Sequence, residues 1–78
     1  MGGQGYDELP ADRAVTVEES VNFKARNASV SAGKTWRFHG SLASAADCAT
    51  VANQSPPQGP GEVVVALDNG VFPLWLYY

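Results

Sequence analysis

The chain has 78 residues, a formal net charge of −3 and a single cysteine, Cys48. A chain of this length forms one domain at most and buries only roughly 60% of its unfolded surface. A lone cysteine excludes an internal disulfide, and Cys48 with His39 supplies too few soft ligands for a structural zinc site. Docking onto a partner, or self-association, is therefore the expected source of additional stability.

The charges are unevenly distributed along the chain. Residues 1–19 contain five acidic side chains and one basic one, whereas residues 20–46 contain four basic side chains and no acidic one. These charges either belong to solvated strand faces or allow an acidic arm of one copy to lie on a basic face of another. Four bases on an acidic chain neutralise few phosphates, so no nucleic-acid partner is expected.

The first ten residues, MGGQGYDELP, contain neither the apolar segment of a secretory signal nor the Ser or Thr of a myristoylation signal. No apolar run approaches the ~20 residues that cross a bilayer, so synthesis in a cytoplasm and no membrane partner are expected. The early glycines, a polar stretch and Pro10 predict an extended N-terminal arm over residues 1–12. A single small β domain is expected over residues 13–78.

Period-two patterns predict strands from Ala14 onwards. The stretches AVTVE and SVNFKAR alternate apolar and polar residues, which places Val21, Phe23 and Ala25 on one face of a half-buried strand. The following NAS, residues 27–29, predicts a turn.

The stretch KTWRFHG predicts the next strand, between the turn residues Gly33 and Gly40. Trp36 and Phe38 share one face of this strand and are expected in the core. His39 is expected on the opposite, exposed face.

Residues 41–54, SLASAADCATVANQ, have two interpretations. Helical spacing and a Ser44–Asp47 capping box favour a helix whose apolar residues are Leu42, Ala45, Ala46 and Ala49. Thr50, Val51 and the density of small residues favour irregular structure with a short strand or a single helical turn, which is the interpretation we prefer. Cys48 is expected to be a small buried apolar side chain.

The end of the chain predicts a β-hairpin after a proline-rich loop, SPPQGPG. The stretches EVVVAL and VFPLWLYY flank DNG, and Asn-Gly favours a two-residue hairpin turn. Neither arm alternates with polar residues, so both faces need cover, and Pro73 is expected at an edge or a bulge. The whole pattern predicts an all-β fold, a small β-sandwich or partly open barrel of about five to seven short strands.

The sequence offers few groups for catalysis. It has no G-x-S-x-G elbow, its carboxylates are scattered, and its glycine-rich stretches precede no lysine-bearing helix. A Cys48–His39 dyad would have to form across the uncertain 41–54 segment. We therefore expect no enzyme activity, no cofactor and no metal.

The aromatic residues are more informative. Trp36, Phe38 and Phe23 are expected in the core. Trp75 and Tyr77, with Tyr78, belong either to the core or to an interface, because Trp and Tyr combine an apolar body with a polar tip.

Residues 28–75 resemble small capsid decoration (cement) proteins of tailed bacteriophages. The resemblance lies in the turn SAG before a strand, the small residues that follow Leu42, and the closing GEVVVALDNGVFPL. It implies a non-enzymatic β module on the outside of the virion that clamps neighbouring major capsid proteins. Further copies of the chain are expected partners, as a trimer.

This interpretation predicts a set of interface residues: Gly3, Tyr6, Leu9, Arg37, Pro73, Trp75, Tyr77 and Tyr78. The arm from Gly2 to Leu9 is expected to drape over a capsid protein or an adjacent copy. Truncation before Trp75 is expected to impair assembly more than folding. The alternative is a small phage or bacterial protein-binding module, such as an inhibitor of a host protein.

Overall fold

The computed structural model describes residues 9–10, 12–30 and 33–78. These residues form, in chain order, helix α1 (Val17–Val30), strand β1 (Trp36–Leu42), helix α2 (Ala45–Ala52), strand β2 (Val63–Val65) and strand β3 (Phe72–Tyr77). The strands form one antiparallel sheet in the order β1-β3-β2, and both helices pack on the same face of it. The all-β prediction is therefore wrong, because the fold is α+β.

Helix α1 begins with a capping box that overrides the period-two pattern. The Glu19 N–H donates to Thr16 Oγ1 over 3.0 Å, and Glu19 Oε1 accepts from the Thr16 N–H over 2.9 Å. This reciprocal pair satisfies two backbone donors that a helix start leaves free. Val17, Val21 and Ala28 then pack against the core, at the i, i+4 and i+11 positions of one helical stripe.

Because helix α1 spans Val17–Val30, the prediction of strands before residue 30 and of a turn at NAS is wrong. The period-two face breaks up on the helix, where Phe23 is buried and Ala25 is exposed. Residues 27–29 continue α1, and the Asn27 amide donates to the Phe23 carbonyl over 2.9 Å.

Helix α2 forms over two turns, so the preferred irregular interpretation of residues 41–54 is wrong. Ser44 is the N-cap, and its hydroxyl accepts a hydrogen bond from the Asp47 N–H over 3.1 Å. The buried side is not the predicted alanine stripe, since it consists of Cys48, Val51 and Ala52. The expectation that Cys48 is a buried apolar side chain is confirmed, and burial raises the pKa of its thiol.

Strand β1 lies where the sequence predicts it, but the side chains predicted to be buried and exposed have exchanged faces. A β-bulge lies between Phe38 and Ser41, and Gly40 adopts a φ of +82° there instead of ending the strand. Because of the bulge, His39 and Leu42 are both fully buried on the helix side. The side chains on the other face are therefore those that the sequence pattern had assigned to the core.

The closing hairpin is confirmed. Asn69 and Gly70 have φ values of +53° and +84°, as a type I′ turn requires. Asp68 and Val71 exchange two backbone hydrogen bonds, of 2.9 and 3.1 Å, and so close the turn. The preceding SPPQGPG stretch contains no helix or strand, as predicted.

Pro73 lies in the central strand and beside the bulge, where Ser41 is its Cα partner. Its carbonyl accepts a hydrogen bond from the Ala66 N–H over 3.0 Å. The proline nitrogen carries no hydrogen, so it cannot donate to the Ala66 carbonyl. The ladder between β2 and β3 therefore weakens after Val65, where β2 ends.

Candidate functional site

The most unusual surface of the described structure is the sheet face opposite the helices. Residues paired across an antiparallel sheet share a face, and the register pairs Trp36 with Tyr77, Phe38 with Trp75, and Val64 with Trp75. We call this surface the aromatic face, and its members are Trp36, Phe38, Val64, Pro73, Trp75 and Tyr77. None of the described helices or strands covers it.

The rings on the aromatic face pack in two neighbouring pairs. Trp36 and Tyr77 have ring centroids 5.2 Å apart, and Phe38 and Trp75 have centroids 5.3 Å apart, both with planes tilted by 48°. These separations lie in the favourable range for aromatic pairs. Trp36 nevertheless keeps 47% of its surface exposed, as does Val64.

A charged pair borders the aromatic face near Tyr77. Lys34 Nζ lies 2.8 Å from Glu62 Oε2 and 5.8 Å from the centroid of the Tyr77 ring. The hydrogen bond from Lys34, followed by one from the Gly59 N–H, lowers the pKa of the Glu62 carboxyl, while Glu62 raises the pKa of Lys34. An apolar centre with a polar border is the composition of many protein interfaces.

No protein-family model, curated protein or solved structure matches this chain. The interpretation of the aromatic face therefore depends on its own side chains. Neither of the two helices in the described residues combines the length and hydropathy needed to span a bilayer. Residues 9–10, 12–30 and 33–78 also contain no cluster of three or more His, Cys, Asp or Glu side chains that could hold a metal ion.

The structure brings three of the predicted interface residues together on the aromatic face, namely Pro73, Trp75 and Tyr77. Arg37 and Tyr78 lie on the helix side instead, where the Arg37 guanidinium is 4.9 Å from the Tyr78 ring centroid. Tyr78 is buried.

Of the three predicted interface residues of the N-terminal arm, the structure describes only Leu9. Leu9 packs against the core cluster. Gly3 and Tyr6 lie outside the described residues.

Trp36, Phe38 and Val64 complete the aromatic face, although the sequence pattern does not predict them there. The alternation in KTWRFHG correctly grouped Trp36 with Phe38, but hydrophobicity alone assigned the pair to the core. The available signal was the hairpin: in an antiparallel sheet, any strand paired with β3 must align its own alternation with Trp75 and Tyr77.

A buried polar network lies on the other side of the sheet. The Ser20 hydroxyl donates to the His39 carbonyl over 2.9 Å, and Ser20 Oγ lies 3.2 Å from His39 Nδ1. His39 Nε2 lies 2.8 Å from the Tyr78 hydroxyl. Because the Ser20 proton is used on the carbonyl, Ser20 Oγ accepts from Nδ1–H, and Tyr78 donates to Nε2.

Charge is disfavoured throughout this network. Burial, reinforced by the nearby positive charge of Lys24, lowers the pKa of His39 to about 4. Burial also raises the pKa of Tyr78 to about 12. A neutral imidazole and a protonated phenol are the states that the hydrogen bonds require. The expectation that His39 is an exposed surface residue is therefore wrong.

Lys24 connects this network to the end of α2. Its ammonium is completely buried and donates to the carbonyls of Ala52 and Gln54 over 3.1 and 2.7 Å. A cation at a helix C-terminus is favourable because the last carbonyls carry partial negative charge. Burial lowers the pKa of Lys24 to about 8.

The buried network holds the elements together but presents no reactive group. Ser20 and His39 are both fully buried, and the Ser20 proton is committed to a carbonyl. A serine nucleophile needs its hydroxyl proton directed to the base and its oxygen accessible to substrate. The aromatic face is therefore the stronger candidate for function.

Proposed function

We propose that this protein is a small protein-interaction module that docks through the aromatic face. The observation that carries the proposal is that Trp36 and Val64, each 47% exposed, lie on an apolar sheet face that none of the described helices or strands covers. Contiguous exposed apolar surface bordered by polar residues is typical of interaction sites. Tryptophan is also enriched among the residues that dominate binding energy.

The arrangement of the aromatic face supports tight docking. Trp75 and Tyr77 belong to β3, which is paired with a strand on both sides. Their rings are held in place by the neighbouring rings of Phe38 and Trp36. A surface that is already ordered loses less conformational entropy on binding than a flexible one does.

For the partner, we propose the outer surface of a tailed-phage capsid, where the protein would clamp neighbouring major capsid proteins. The support is the resemblance of the closing GEVVVALDNGVFPL to capsid decoration proteins. On a lattice of identical sites, contacts that are individually weak add through multivalency.

A second candidate is a module that binds a single host protein. It is favoured by α1 and α2, because the resemblance implies a β module and the two helices depart from it. Copy number separates the two candidates: a decoration protein is present in hundreds of copies in each virion, whereas an inhibitor is absent from the particle.

The test is co-sedimentation of the purified protein with expanded capsids of the phage that encodes it. We expect Trp36→Ala to weaken binding at least about tenfold, as truncation of a central interface aromatic does. Leu67→Ala is the matched control, since Leu67 is a 70% exposed apolar residue that alternation places off the aromatic face.

The possible results test the docking surface and the capsid partner separately. Equal binding by wild type and Trp36→Ala would contradict docking through the aromatic face. Failure of the wild type to bind capsids, together with its absence from virions by mass spectrometry, would contradict the decoration role and leave the single-partner candidate. Circular dichroism of each variant checks that the fold is kept.

A further inference from the structure

Strand β2 lies at an edge of the sheet that no described helix or strand covers. Its three valines, Val63, Val64 and Val65, are 38%, 47% and 42% exposed. Exposure on both faces shows that the helices, which pack against β1 and β3, do not reach β2. Native proteins usually cover, shorten or charge such an apolar edge, because it can pair with another strand.

The hydrogen-bond pattern shows which backbone groups of β2 point outwards. The Tyr77 N–H donates to the Glu62 carbonyl, and the Ala66 N–H donates to the Pro73 carbonyl, each over 3.0 Å. In an antiparallel ladder the inward-facing residues alternate, so residues 62, 64 and 66 face β3. The N–H and C=O groups of Val63 and Val65 therefore face outwards, and no hydrogen bond to them is made by any described residue.

We infer that β2 pairs with β2 of a second copy of this chain, antiparallel and about a two-fold axis at Val64. In this register Val63 of each copy lies opposite Val65 of the other, and the two residues exchange both of their hydrogen bonds. Four hydrogen bonds form, and the two sheets become one sheet of six strands. The contact is isologous, because the same three residues serve both copies.

The side chains fit the same axis. Val64 of each copy lies directly opposite Val64 of the other, in the non-hydrogen-bonded position where paired side chains approach most closely. Since Val64 belongs to the aromatic face, the aromatic faces of the two copies join into one surface. Val63 and Val65 cover each other on the opposite side.

Charge disfavours the register whose axis lies one residue further along, at Val65. A two-fold axis at Val65 would place Glu62 of one copy directly opposite Asp68 of the other, and like charges in that position are destabilising. With the axis at Val64, Glu62 lies opposite Ala66. The Glu62 carboxylate is there held by Lys34 and faces no charge directly.

The position of Leu9 favours a second copy over the chain's own first residues as the occupant. Leu9 lies beside Gly40 of β1, with its Cδ1 3.4 Å from where a Cβ of Gly40 would be. β1 and β2 are separated by β3, so the two edges are roughly 10 Å apart. Leu9 therefore lies at the opposite edge of the sheet from β2, whereas a second copy approaches the β2 edge directly.

The first test is sedimentation equilibrium of the wild type, Val65→Pro and Val65→Thr over a range of concentrations. Proline removes an outward N–H without touching the β3 ladder, and threonine is the matched β-branched control that keeps it. We expect a concentration-dependent dimer for the wild type and Val65→Thr, and at least tenfold weaker association for Val65→Pro. A wild type that stays monomeric to about 1 mM, that forms a trimer, or that is matched by Val65→Pro would overturn the inference.

The second test is oxidative cross-linking, which stays decisive if Val65→Pro fails to fold. Directly opposite non-hydrogen-bonded residues are about 4.5 Å apart between Cα atoms, within disulfide range. Val64→Cys should therefore cross-link two copies, whereas Val65→Cys and the wild type, whose only cysteine is buried, should not. Cross-linking through position 65 and not through position 64 would refute the proposed axis.

This inference does not depend on the proposed docking function, and the variants keep the two apart. Val65→Pro alters the edge and leaves the rings of the aromatic face intact. Trp36→Ala alters that face and leaves the edge intact. A wild type that binds capsids but stays monomeric would refute the dimer alone, and a wild type that dimerises but does not bind capsids would refute the capsid proposal alone.

Discussion

His39 makes the stability of this protein depend on pH. It is completely buried and accepts a hydrogen bond from Tyr78 only while its Nε2 is unprotonated. Its pKa is about 4 in the folded state, whereas an unfolded histidine titrates near 6.5. Below pH 6.5 the unfolded chain therefore binds a proton that the folded chain excludes, and stability falls as the pH falls towards 4.

We expect the free energy of unfolding to decrease by about 2 kcal/mol between pH 7 and pH 4.5. Urea titrations at several pH values measure this change. His39→Gln should remove most of the slope in that window, whatever its effect at neutral pH. Glu19 and Glu62, whose pKa values are lowered by hydrogen bonds and ion pairs, lose their contribution mainly below about pH 5, and they do so equally in the wild type and in His39→Gln. An unchanged slope in the variant would refute the role of His39.

Two glycines with the same backbone conformation have different reasons to be glycine. Gly40 and Gly61 have φ values of +82° and +79°. A Cβ at Gly40 would lie 2.6 Å from Val15 Cγ2, whereas a Cβ at Gly61 would have nothing within 4 Å. The first position combines backbone strain with a steric clash, and the second has strain alone.

We predict that Gly61→Ala costs about 1–2 kcal/mol, the penalty of a left-handed conformation for alanine. Gly40→Ala should cost about 3 kcal/mol or more, because overpacking adds to that penalty. Urea midpoints of the two variants give the comparison directly. Equal losses would show that the contact with Val15 is easily relieved.

At the scale of the elements, the start of α1 depends on Thr16. Its hydroxyl and the Glu19 carboxylate close the capping box, and Glu19 is also 3.1 Å from Arg13. We expect Thr16→Ala to lower the free energy of unfolding by about 1 kcal/mol.

The control is Thr50→Ala. Thr50 is an exposed residue inside α2 whose hydroxyl bonds back to the Ala46 carbonyl. This substitution should be neutral or slightly stabilising, since alanine is the better helix former. Thermal and urea unfolding measure both variants, and similar losses in the two would count against the capping box.

The hairpin was predictable from the sequence because its signal is local. The turn at Asn69 and Gly70 follows from the conformations open to those two residues. The helix α1 was missed although it too has a local signal, the T-x-x-E of residues 16–19. Over the stretch VNFKA, a strand pattern and a helix pattern both place Val21 on the buried side. Only the capping box distinguishes the helix from the strand.

The aromatic face could not be derived from local patterns. Alternation grouped Trp36 with Phe38, but which face of a strand is covered depends on where the helices pack. The bulge at Gly40 also shifts the alternation, so that His39 and Leu42 lie on the same side. The packing face of the helices and the position of the bulge both depend on tertiary structure.

At the scale of the whole molecule, one layer of helices covers one face of a three-stranded sheet. The core is correspondingly small, and it draws heavily on β3, which contributes the fully buried Leu74 and Leu76. Truncation before Trp75 would also remove Leu76 and Tyr78 from the core, so we expect it to impair folding as well as assembly. Point substitutions on the aromatic face are the appropriate way to separate docking from folding.

The aromatic face also determines how the protein can be observed. The chain has two tryptophans, Trp36 and Trp75, and the strand register places both on that face. Its intrinsic fluorescence therefore arises from the exposed side of the sheet and not from the hydrophobic core. A partner that excludes water from this face will shift the emission to shorter wavelength while the fold stays unchanged, so the protein carries its own optical probe of docking.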